Sequence, residues 1–234
     1  MALPKLNSAK YDLIIPSTGQ EVEFRPYLVK EEKILMIALE SQDQRQIIRA
    51  VKDVIKGCVF SEINVDKLAL FDIEYIFLNL RSKSVGESID LKTKCSECET
   101  VNDFSIKIPD IKPPVIENEN VIELTDTIGV TMRYPSITDI EKMKMEDMKS
   151  VDGISELIMK CIDSVYDDDG VYDSKSYTDK ELREFIDSFN TEQFMKLAGF
   201  FNDLPTIKLD HKFNCISCKK ANEVPLRGLQ SFFT

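Results

Sequence analysis

The sequence predicts an α+β fold made of two similar halves, each with β-hairpins and helices, in which two cysteine-bearing hairpins are brought together. Three observations carry this. A Cys-x-x-Cys turn occurs twice, in TKCSECETVN (residues 93–102) and in FNCISCKKAN (residues 213–222), 120 positions apart. Each half opens on two strand-like runs around a turn, DLIIPSTGQEVEFRP and VIELTDTIGVTMRYP. Matched helical patterns then follow in both halves.

In order along the chain, the first hairpin runs up to Pro26, matched by Pro135, with Glu32-Lys33 matched by Glu141-Lys142 at an offset of 109. Ile47, Ile48, Val51, Val54, Ile55 and Cys58 recur at three- and four-residue spacing and predict one buried helix face. Ile154, Leu157, Ile158, Cys161 and Val165 predict the same in the second half. DIEYIFLNLR and TEQFMKLAGFF predict a further helix before each cysteine hairpin, and ESIDLKTKC and TIKLDHKFNC alternate as strands. The offset grows to 120 at the cysteines, and the polar stretch YDDDGVYDSKSY (residues 166–177) reads as the surface loop that absorbs the excess. IPDIKPPVIENEN (residues 108–120) carries three prolines that oppose a helix. The expected division is a first repeat over 1–110, a proline-rich linker over 111–120 and a second repeat over 121–234.

A Cys-x-x-Cys turn between strands resembles a zinc knuckle, which supplies two thiolates where a structural zinc takes four. Two knuckles related by an approximate two-fold axis complete the shell, so Cys95, Cys98, Cys215 and Cys218 are the expected Zn²⁺ ligands. Lys92, Lys94, Lys212, Lys219 and Lys220 lie near in sequence to offset the charge of four thiolates. A redox dithiol needs its first cysteine at a helix N-terminus, and ETVNDFSI and KKANEVPL read as turn and strand. Free thiols and two separate disulfides are the remaining alternatives. Cys58 and Cys161 read as small core residues, and His211 as a polar strand residue rather than a ligand. VYDDDG lacks the first and twelfth ligands of a calcium loop, and MKMEDM (residues 143–148) reads first as core.

A net charge of −11 opposes a protein built to hold a phosphate backbone. The N-terminal stretch has no secretory apolar region, and the longest apolar run, ILMIAL, is too short for a bilayer. The single histidine and scattered carboxylates offer no catalytic constellation, so no enzyme is expected. The terminal stretches MALPKLNSAK and PLRGLQSFFT, the latter ending in Phe232 and Phe233, read as docking elements, with the alternative that the phenylalanines fold back onto their own hairpin.

MALPKLNSAKYDLIIPSTGQEVEFRPYLVKEEKILMIALES, QIIRAVKDVIKGC and LALFDIEYIFLNLRSKSVGE together resemble the T4-type bacteriophage baseplate hub family, whose members are small, acidic proteins of contractile-tailed phages. The likeness spans nearly the whole chain, and residues 24–41 and 71–87 carry it most specifically. It implies a tail component acting in assembly of the baseplate centre, with other tail proteins as partners and no catalytic residues. It implies residence in the virion tail, with assembly in the host cytoplasm, and leaves self-association open. A structural hub subunit and a transient assembly chaperone absent from the mature virion both fit, whereas a zinc-ribbon nucleic-acid binder fits the charge poorly.

Overall fold

The computed structural model describes residues 7–116, 120–141 and 150–228. Its elements run β1 (Tyr11–Ile14), β2 (Glu21–Phe24), α1 (Val29–Glu40), α2 (Gln44–Cys58), α3 (Leu70–Ser84), β3 (Ser88–Lys94) and β4 (Val101–Lys107). They continue as β5 (Val121–Glu123), β6 (Gly129–Met132), α4 (Ile137–Glu141), α5 (Val151–Cys161), β7 (Ile162–Tyr166) and β8 (Val171–Asp173). Last come α6 (Asp179–Asp187), α7 (Thr191–Phe200), β9 (Lys208–Asn214) and β10 (Ala221–Arg227). The α+β class is as the sequence predicts. The chain forms two compact units, one of Met1–Ile116 with Pro205–Thr234, the other of Glu117–Leu204. These units are not the two sequence halves, because the second cysteine hairpin belongs with the first unit.

In the first unit, three antiparallel hairpins, β1-β2, β3-β4 and β9-β10, accompany α1, α2 and α3. The β1-β2 turn closes through the Ile15 amide on the Gln20 carbonyl, with Gly19 at φ 67°, a conformation glycine adopts without penalty. Asp43 starts α2 by accepting from the Arg45 amide. Helix α3 is the centre of the unit, with Phe71, Ile73, Ile76, Phe77, Leu78 and Leu80 all buried. Its Asp72 carboxylate, fully buried, accepts from the Ser17 amide at 2.9 Å and so ties the first turn to the helix. Leu78 of α3 shares one cluster with Ile89 and Leu91 of β3, Ile106 of β4 and Leu226 of β10. Both cysteine hairpins are therefore fixed on the same apolar surface, at about 1.5–3 kcal/mol for each buried aliphatic side chain.

The second unit is a four-stranded antiparallel sheet, β5-β6-β7-β8, with α5, α6 and α7 packed around Val130, Met132, Leu157, Ile158, Leu197 and Phe200. Thr178 and Asn190 cap α6 and α7, each paired with an acid or amide three residues on, Glu181 and Gln193. Gly129 faces Tyr166 across the β6-β7 pair, and the tyrosine ring fills the space any side chain would need.

Several expectations are corrected. The helix carrying Ile154, Leu157, Ile158 and Cys161 stops at Cys161, and Val165 lies on β7, paired with Val130 and Tyr172. Residues 166–177 are not a plain loop, since β8 returns alongside β7. Asp167 closes that turn by accepting from the Asp169 and Gly170 amides, which uses the carboxylate for structure. The linker prolines do not exclude a single 3-10 turn at Ile108–Asp110. Residues 143–148, and the terminal stretches 1–6 and 229–234, lie outside the described residues.

One arrangement appears in each unit. Arg25 reaches Glu31 at 2.9 Å and the Gly57 carbonyl at 2.8 Å, its own amide bonds the Cys58 carbonyl, and Glu31 accepts from the Leu28 amide. Arg133 reaches Asp139 at 2.7 Å and the Lys160 carbonyl at 2.6 Å, its amide bonds the Cys161 carbonyl, and Asp139 accepts from the Ser136 amide. The arginines and their acids stand 108 positions apart, so the structural correspondence is one residue off the offset of 109 set by the prolines. Cys58 and Cys161 lie fully buried at equivalent places, and burial pushes their thiols up to about 11 and about 12. They are core residues with little thiolate character.

Burial alone would raise the Glu31 carboxyl, but Arg25, the Leu28 amide and Lys30 outweigh it and hold it at about 2. Its folded value is thus depressed, so its stabilisation is complete above pH ~4.5 and is lost as pH falls towards 2. The stability gap between the native chain and Glu31→Gln is expected to narrow across that window in acid denaturation. Arg25→Ala, which leaves the Glu31 carboxylate to the Leu28 amide and the exposed Lys30, is expected to cost about 1–3 kcal/mol in urea unfolding at neutral pH. Arg25→Lys, lacking the fork that spans Glu31 and the Gly57 carbonyl, is expected to restore little of it.

Candidate metal centre

The two cysteine turns have the same backbone. In the first, the Cys95 amide bonds the Thr100 carbonyl, the Glu99 amide bonds the Cys95 carbonyl, and Glu99 has φ 56°. In the second, Cys215 bonds Lys220, Lys219 bonds Cys215, and Lys219 has φ 61°. Seven-residue strands on either side, β3-β4 and β9-β10, keep these turns in fixed register.

The turns meet. Cys95 Sγ lies 3.6 Å from Cys218 Sγ, Cys98 Sγ lies 3.6 Å from Cys215 Sγ, and all four sulfurs are within 4.8 Å of one another. A tetrahedron with Zn–S bonds of about 2.3 Å has edges of about 3.8 Å, so the spacing fits a four-thiolate site. It does not fit disulfides, whose sulfurs sit at about 2.05 Å. All four thiols are free. Strands β4 and β10, not helices, follow the turns, so neither pair has the helix N-terminus of a redox dithiol.

The thiols differ in environment. The first cysteine of each turn, Cys95 and Cys215, is buried, and the second, Cys98 and Cys218, is exposed. The Thr100 hydroxyl, 3.3 Å away, and the Thr100 amide draw Cys98 down to about 6. The Cys98 and Glu97 amides lower Cys95. The Lys220 amide would lower Cys218 too, but crowding by Cys98, Cys95 and Cys215 together with desolvation pushes it up to about 12. Four sulfurs this close resist complete deprotonation by themselves, and a bound cation supplies the charge that permits it.

The asparagines that end both quoted motifs, Asn102 and Asn222, escape a cysteine-centred reading although they sit at the same place after each turn. Asn102, 1% exposed, accepts from the Ile216 amide at 2.9 Å, and Asn222 accepts from the Ser96 amide at 3.0 Å. The only sequence signal was their shared position. Two of the expected compensating lysines are otherwise engaged: Lys92 faces Asp103 and Lys212 faces Glu223 across their own hairpins. Lys219 Nζ donates to the Ile216 carbonyl at 3.1 Å. His211 stacks on Phe104 at 4.3 Å between ring centres, outside the sulfur cluster.

Incubated with zinc or cobalt(II), the full chain is expected to take up one ion per chain by elemental analysis. Cys98→Ser and Cys215→Ser are each expected to lower Tm, and the double variant to retain no stoichiometric metal. Stoichiometric metal in the double variant would place the ion elsewhere. Because the hairpins also pack through Ile89, Leu91 and Leu226, chelation is expected to loosen this corner rather than unfold the chain.

Searches of curated proteins and of solved structures each return no match. A protein-family model described as T4 bacteriophage base plate protein matches residues 8–234, which takes in both hairpins and everything between them. With essentially its whole length inside that match, the chain belongs to the T4 bacteriophage base plate protein family.

Proposed function

We propose that the protein is a non-enzymatic structural component of the baseplate hub, acting in tail assembly through protein–protein contacts, with Zn²⁺ on Cys95, Cys98, Cys215 and Cys218 as an internal staple. The family match over residues 8–234 carries this reading. Two features support its details. Sulfur spacing and an all-thiolate donor set favour a structural zinc, since a closed shell leaves no position for substrate. An exposed apolar surface on α1 favours contacts with another protein: Val29, Ile34, Met36 and Ile37 are all exposed, while only Glu31, Leu35 and Ala38 of this helix are buried. Among the described residues no helix is long and apolar enough to cross a membrane.

The repeated arginine arrangement and the twin cysteine turns support descent of the halves 1–110 and 121–234 from one duplicated unit. β7-β8 and α6 would then replace the shorter connection at residues 59–69 of the first copy.

A transient assembly chaperone, absent from the finished particle, is the second reading, and the uncovered face of α1 favours it as well. Mass spectrometry of purified virions separates the two. Presence at a fixed ratio to other base plate proteins supports the structural role, and absence from virions with presence in assembly intermediates supports the chaperone. Ile37, 67% exposed, offers a direct check on α1. Ile37→Glu is expected to leave the Tm of the isolated chain within about 2 °C, as surface changes usually do, while incorporation into base plates falls. Normal incorporation would remove α1 from the contact surface.

A further inference from the structure

The two asparagines do more than occupy equivalent places. Each spans the junction between the turns in the same way. Asn102 Oδ1 accepts from Ile216 of the opposite turn, while its Nδ2 donates to the Thr100 carbonyl of its own turn at 2.7 Å and lies 3.8 Å from Cys215 Sγ. Asn222 Oδ1 accepts from the Ser96 amide and hydroxyl of the opposite turn, while its Nδ2 donates to the Lys220 carbonyl at 2.8 Å and lies 3.5 Å from Cys95 Sγ. The carbonyls of Thr100 and Lys220 are the same ones that close the two cysteine turns. Each amide group thus touches three things at once: the closure of its own turn, an amide of the other turn, and the buried first cysteine of the other turn.

We propose that Asn102 and Asn222 are reciprocal positioning residues of the metal centre, each holding the buried sulfur of the opposite hairpin in ligating position by an N–H···S contact. This rests on the metal reading above and adds residues to it. Two physical consequences follow from the arrangement. First, the amide donors partly offset the negative charge of a four-thiolate shell from within the junction, while Lys92 and Lys212 are turned to strand partners. Second, these hydrogen bonds run directly between groups of the two hairpins and not through an ion, so they favour the mutual register of the turns by themselves. An unorganised set of four thiols would have to be ordered by the ion itself, which lowers affinity by the cost of that ordering.

Only an asparagine meets all three contacts at this distance. Aspartate keeps the acceptor for the opposite amide but turns an acceptor towards the sulfur. Alanine removes both. The pair of substitutions therefore separates holding the turn from donating to the sulfur.

The test uses the full chain, with affinities for zinc and cobalt(II) from competition against a chromophoric chelator, and the cobalt absorption spectrum as a report on sulfur geometry. Asn222, half-buried, is the primary position because its replacement disturbs the core least, and Asn102 is the second. Asn222→Ala is expected to weaken metal binding about 10–100-fold, the usual effect of losing a group that orients a ligand, and to shift the sulfur-to-cobalt charge-transfer bands. Asn222→Asp is expected to bind no more tightly than Asn222→Ala. A backbone circular dichroism spectrum equal to that of the native chain would show that the variant is folded. Native affinity in Asn222→Ala, or its recovery in Asn222→Asp, would overturn the assignment while leaving the four-cysteine centre intact. A native chain with no four-thiolate cobalt spectrum would overturn the metal reading itself, and the positioning role with it.

Discussion

The placement of both cysteine hairpins in the first unit depends on one closure, the meeting of a turn at residues 95–98 with a turn at residues 215–218. The chain leaves this unit near Ile116, builds a second unit with its own core, and returns at Pro205 to complete the first. Closing so long a segment is less costly than its length suggests. Each doubling of a loop adds about 0.6 kcal/mol, so 120 residues cost about 2 kcal/mol more than 15. A four-thiolate zinc, at roughly 10 kcal/mol or more in small modules, would exceed that several-fold. Leu226 and Ile207, buried against α3 and β3, contribute to the same closure without metal.

The legible parts of the fold were those whose signal is local. Cys-x-x-Cys between alternating strands fixes a turn by its own backbone, and α3 and α7 show in the spacing of their apolar residues. The stretch CIDSVY is ambiguous because Cys161 and Val165, four residues apart, fit both one helix face and one strand face. Pairing with β6 and β8 decided it, and those partners are distant in sequence or hidden in a polar run. The asparagines were visible as letters but not as contacts, since their partners lie more than a hundred residues away. The regrouping of residues 205–234 with the first unit has the same origin: no local pattern states which helix a hairpin will pack against.

The two arginine arrangements show how one local device can sit in different surroundings. In each, one guanidinium joins an acid at a helix start to a carbonyl near a helix end, and the chain path between them is set by that span. Outside it the two surroundings differ. Among the described residues of the first unit a single isolated bridge, Phe24 with Val59, lies beside the arginine, whereas in the second β6 pairs with β7 along several residues and β8 lies beyond. An ion pair that also bonds backbone groups on both sides tolerates such elaboration because several contacts fix its geometry. The buried cysteine beside each pair is small and inert, which suits a position packed under a guanidinium.

The split arrangement of the cysteines also has a meaning for synthesis on the ribosome. Cys95 and Cys98 emerge early, yet their partners are made 120 residues later. At about 5–20 residues per second the first pair waits roughly 6–24 s. During that interval its turn is half a site, with Asn102 lacking the Ile216 amide it will accept from. Glu117–Leu204 can meanwhile fold on its own core. The first unit is thus finished last, and its closure records that translation has passed residue 218.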